Sequence, residues 1–94
     1  MKRKPTHSTR YRLDPLLREI ANASGAPCLF DPRNGALFGL NATSQLLVAS
    51  LRQGATEDDL RSNLMREGAT DADEARRDVT TFLTVMKEQG LVQS

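Results

Sequence analysis

The chain has 94 residues, 38% apolar and 27% charged, with no Trp, one Tyr and three Phe, so one small domain with an aliphatic core is expected and a deep catalytic cavity is not. The net charge of +1 hides an asymmetry: five of the thirteen basic residues stand in the first twelve positions with no acid, which leaves eight against twelve acidic residues, a net of −4, and a poor surface for a polyanion. A single cysteine excludes an internal disulfide and a cysteine zinc cluster, nothing approaches the roughly 18 apolar residues of a membrane span, and no apolar stretch follows the basic start as in a secretory signal, so the cytoplasm is the expected compartment.

Residues 1–12 read as a disordered basic arm, polar and carrying Pro5, and 13–94 as the folded domain. Leu13 to Ala23 is ambiguous. Leu16, Leu17, Ile20 and Ala21 form one stripe of a short helix with Asp14 as N-cap and Pro15 in the first turn, and equally a strand from Leu16 to Ala21; the local pattern leans to the helix. Ala26 to Leu40 reads as a hairpin. Cys28-Leu29-Phe30 and Ala36-Leu37-Phe38-Gly39-Leu40 flank turn formers that include Asn34-Gly35, both tolerant of positive φ.

Three helical patterns follow. The first spans Thr43 to Gln53, capped by Thr43 or Asn41, ended by Gly54, with Leu46, Leu47, Ser50 and Leu51 on its inner face. The second opens on Thr56 with Asp59 three residues on, a capping-box spacing, and buries Leu60, Leu64 and Met65. The third starts near Asp71, with Thr70 or Asp71 as cap, and runs to Gln89, with Ala75, Val79, Phe82, Leu83 and Met86 at core spacing. Leu91-Val92 then adds a terminal strand or an apolar tuck. Strands followed by helices argue for an α+β fold.

Catalytic chemistry is missing. The single histidine, His7, lies in the arm; Cys28 sits in an apolar run and reads as a small hydrophobe; Glu57, Asp58 and Asp59 are consecutive and suit a helix start better than a metal site. No metal ligand set, cofactor motif or phosphate loop is present. Three helices with glycine turns also suit a winged helix-turn-helix that binds DNA as a transcriptional regulator. Yet the third pattern sets Arg76, Arg77 and Lys87 against Asp71, Asp73, Glu74, Asp78 and Glu88, and phosphates would be repelled.

From Leu29 to Val92, about two thirds of the chain, the sequence resembles the PqqD-like family, the RiPP recognition elements. The matching features are a hairpin ending in Leu40-Asn41-Ala42-Thr43, an apolar helix closing at Gly54, spaced Leu60 and Leu64, then Ala75-Arg76-Arg77-Asp78-Val79, Phe82-Leu83 and Gly90-Leu91-Val92. The discrete leader-binding proteins of lasso-peptide pathways look most similar in layout, and stand-alone PqqD-like peptide chaperones come next. The chain departs from the lasso pattern with Leu37-Phe38-Gly39 before the Leu-Asn, and Ser44 stands where Gly is common.

The resemblance implies a three-stranded antiparallel sheet followed by a three-helix, winged helix-turn-helix-like bundle, which moves Leu16 to Ala21 from helix to first strand. It also implies a non-catalytic protein, without cofactor, that binds the leader of a ribosomally made precursor peptide by strand addition. A separate maturation enzyme is the second partner: a leader peptidase with its cyclase in a lasso pathway, or a radical enzyme elsewhere. Neither nucleic acid nor membrane is an expected partner. An open strand edge templates an extended peptide, so Ala36, Leu37, Phe38 and Gly39 are expected to line the site with Asp78, Thr81 and Val85 of the third helix. The same edge allows a homodimer. Leu40 and Val79 are assigned to the core.

Overall fold

The computed structural model describes residues 9–68 and 70–94. The first eight residues of the expected arm, His7 among them, lie outside the described residues. Residues 10–12, expected in that arm, belong to a strand instead. Arg10–Leu13 form a strand, β1, in which Tyr11 and Leu13 alternate inward and are buried while Arg10 and Arg12 face out. Tyr11 also stacks under the Lys87 ammonium, 4.7 Å from the ring centre.

Asp14 caps a turn rather than a helix. Its Oδ1 accepts the Leu16 N–H at 2.9 Å and its C=O accepts the Leu17 N–H at 3.1 Å. The chain then enters β2, Arg18–Ala21, within the strand the family resemblance implied and against the local helical pattern. Strands β3, Pro27–Asp31, and β4, Ala36–Gly39, complete the hairpin. Its turn follows from residue chemistry: Gly35 takes φ 76°, Asn34 Oδ1 accepts the Ala36 N–H at 2.9 Å, and Asp31 C=O accepts the Gly35 N–H at 2.8 Å.

Helix α1 covers Ala42–Gln53, α2 Glu57–Glu67 and α3 Ala72–Glu88. Each begins on a side-chain cap. Asn41 accepts from Ser44 N–H, Asp71 accepts from Glu74 N–H, and Thr56 and Asp59 exchange both bonds of a capping box. The core stripe is Leu47, Val48 and Leu51 of α1, Leu60 and Leu64 of α2, and Ala75, Val79, Leu83 and Met86 of α3, with Leu13, Leu17, Leu29 and Leu91 from the strands and loops. Met65 stands outside this stripe, 41% exposed, because one residue past Leu64 turns it about 100° away around the helix.

The fold is α+β with antiparallel sheets. One sheet has the order β2-β3-β4. The other, not foreseen, has the order β5-β1-β6, where β5 is Ala55–Thr56 and β6 is Val92–Gln93. Arg33, in the hairpin turn, ties the two regions together. Its Nε and Nη2 grip the two oxygens of buried Asp31 at 2.9 Å each, its Nη1 reaches Asp14 Oδ2 at 2.9 Å, and Nη2 also reaches the Gly90 C=O at 3.0 Å. The Arg33 hydrogen bonds hold the Asp31 carboxyl below the usual carboxylate range, against the opposing effect of burial.

Candidate functional site

Strand β4 ends its sheet, so one side of its backbone is unpaired by any strand. The phase of the ladder identifies which groups are free. Leu40 N–H donates to Pro27 C=O at 3.0 Å, and the register continues as Cys28 with Gly39, Leu29 with Phe38 and Phe30 with Leu37. Hydrogen-bonded and non-bonded pairs alternate in an antiparallel ladder. Phe38 therefore bonds to Leu29, while Leu37 and Gly39 direct their N–H and C=O groups away from β3 to the open edge.

Beside that edge lies a groove of about 620 Å³ walled by β4, the start of α1 and the outer face of α3. Leu37, Phe38, Leu40, Phe82 and Val85 form its apolar walls, over a floor of the buried core residues Leu29, Leu47, Met86 and Leu91. Asn41, Thr43, Ser44, Asp78 and Thr81 supply polar groups. Arg33, in the turn that leads into β4, reaches the Gly90 C=O just past α3, so the hairpin turn and the C-terminal end of α3 meet.

Six of the expected site residues, Leu37, Phe38, Gly39, Asp78, Thr81 and Val85, line this one groove. Ala36 belongs to β4, paired with Asp31, but takes no part in the lining. Leu37 and Val85 are exposed apolar side chains, at 54% and 45%. Phe38 packs against the core from the opposite face of the strand, as the alternation requires. Leu40 and Phe82 are half-buried and do double duty as core edge and groove wall. Thr43 and Ser44 were not foreseen as lining. Their place depends on how sharply the chain turns after β4, which the Asn41 cap decides.

Outside the groove, Cys28 is a buried thiol on β3, and Asp59 is used by the α2 capping box. Among the described residues no three His, Cys, Asp or Glu side chains gather as a metal site, and no helix is long and apolar enough to cross a membrane.

The model of the family described as Coenzyme PQQ synthesis protein D (PqqD) matches residues 28–92. A solved structure described as "Lasso peptide synthetase B1 complexed with the leader peptide" is similar with a TM-score of 0.70 and 30% identity, over 89% of this chain and 98% of that one. No curated protein matches the chain.

Proposed function

Since the chain belongs to the PqqD family, we propose that it is a leader-peptide-binding protein of ribosomal peptide maturation, a RiPP recognition element of the lasso-pathway type. The leader adds as a strand to β4 and lays alternate side chains into the groove against α3. The observation that carries this reading is the pairing of a free strand edge at Leu37 and Gly39 with an adjoining apolar groove. A similar fold described as complexed with a leader peptide supports it.

The function that follows is non-catalytic. Holding the leader raises the effective concentration of the rest of the precursor at a separate maturation enzyme, because a tethered encounter is intramolecular. In a lasso pathway that enzyme is a leader peptidase, followed by a macrolactam-forming cyclase, and the setting is the cytoplasm. The β4 edge that takes the leader can also pair with a second copy, so leader and homodimer compete for it.

Amide-shift titration tests the reading. Leader peptides encoded beside the gene are added to the protein, with duplex DNA at the same salt as control. Shifts concentrated over Ala36 to Leu40 and Asp78 to Val85 are expected. Silence with every leader, together with shifts along α3 on adding DNA, would replace this reading with a DNA-binding one.

A further inference from the structure

The groove carries one ionisable side chain, Asp78, half-buried in its wall. Every other carboxylate near the start of α3 has work within the helix. Asp71 caps it, Asp73 pairs with Arg76, and Glu74 accepts from Thr70 Oγ1. Asp78 has no hydrogen-bond or ion-pair partner among the described residues. The sequence supplies none locally either, since positions three and four away hold Glu74, Ala75, Thr81 and Phe82, with no Lys or Arg.

Spacing converts this into a pattern. Phe82 lies four residues beyond Asp78, about 6 Å along the helix, and Met86 eight residues beyond, about 12 Å. An extended peptide on β4 advances about 3.3 Å per residue and turns alternate side chains to the same face, so positions i, i+2 and i+4 fall at 0, about 7 and about 13 Å. The two ladders match. We infer that the segment taken by the groove carries a basic side chain that meets Asp78, and apolar side chains two and four residues from it that meet Phe82 and then Val85, above the buried Met86. This deepens the leader-binding reading and rests on it.

Four synthetic peptides test the inference on the full chain: Gly-Ser-Lys-Thr-Leu-Thr-Leu-Ser-Gly, the same with Glu for Lys, and both with the central five residues reversed, since either strand direction fits the edge. Amide-shift titration is followed to millimolar peptide. In the direction the groove accepts, the Lys peptide is expected to bind about tenfold more tightly than the Glu peptide, from a lost attraction and an added repulsion across a half-screened contact. Asp78→Asn should reduce that ratio to near one, with the thermal midpoint of the variant reporting that its fold is intact. Asp78→Lys should invert the preference, which a merely structural role for Asp78 would not do. Lys and Glu peptides that bind β4 equally well, before and after Asp78→Asn, overturn the charge pattern and leave strand addition standing. Failure of all four peptides to shift Ala36 to Leu40 overturns both the pattern and the groove as a peptide site.

Discussion

Gly39→Pro separates binding from folding at a single atom. The Gly39 N–H faces the open edge, so a proline ring there removes no bond of the β3–β4 ladder. A Cβ at this position meets nothing within 4 Å, and the preceding Phe38 is already in a strand, as a residue before proline prefers to be. The fold should therefore be kept, with stability close to that of the parent, since the restriction of the unfolded chain is offset by the shift of a strand φ toward the proline value. Binding should suffer. The leader loses one main-chain hydrogen bond, worth about 1 kcal/mol net, and its facing carbonyl is left without a donor, costing about 1 kcal/mol more. The sum of about 2 kcal/mol is a Kd weakened roughly 30-fold. Calorimetric titration with a leader peptide and a thermal melt of the variant measure the two effects. Phe38→Pro is the contrast, since it deletes the ladder donor to Leu29 and a half-buried ring, and should unfold the hairpin. A Gly39→Pro variant that binds as tightly as the parent would refute strand addition at β4. One that melts as low as Phe38→Pro would refute the ladder phase.

Three further outcomes concern stability. Thr56→Ala should remove one half of the α2 capping box and lower stability by about 1 kcal/mol in a denaturant titration. Leu64→Ala empties a site that is 1% exposed and should destabilise by about 3 kcal/mol, seen as a lower midpoint with an unchanged denaturant slope. Asp31 has a folded pKa below its unfolded one, so its contribution is complete above the ordinary carboxylate pKa of about 4 and disappears as pH falls through the lower folded value. The melting temperature should drop on acidification below that point, and Asp31→Asn should flatten this part of the profile while lowering stability at neutral pH.

Features with a local cause were legible from residues alone. The capping box at Thr56 and the turn at Asn34-Gly35 rest on neighbours within a few positions, whereas the cap of α1 is narrowed by sequence only to Thr43 or Asn41 and that of α3 to Thr70 or Asp71, of which the fold uses Asn41 and Asp71. What escaped depends on distant partners. Strand β1 is four residues long and pairs with two-residue strands more than forty and seventy positions away, so nothing near Arg10 announces it. Strand β2 is exposed throughout and carries helix-compatible spacing, and only its pairing with β3 decides its state. Arg33 gave no signal as a tie, because Asp14 and Gly90 stand 19 and 57 residues from it. The groove was half legible: its β4 and α3 walls could be read, and its α1 end, set by the turn at Asn41, could not.

Those separations govern when the groove comes into being. The Arg33 to Gly90 bond closes one of the longest loops in the chain, and Leu91 is part of the groove lining. Contacts of such sequence distance form late, after local helices and hairpins. During synthesis the β4 edge emerges long before the wall opposite it is complete. A chain in which α3 has not yet docked presents a bare strand edge with no apolar groove beside it, open to any extended segment that comes near. A chain cut before α3 should therefore keep the β4 edge without its opposite wall, and is expected to self-associate through β4 rather than select a peptide.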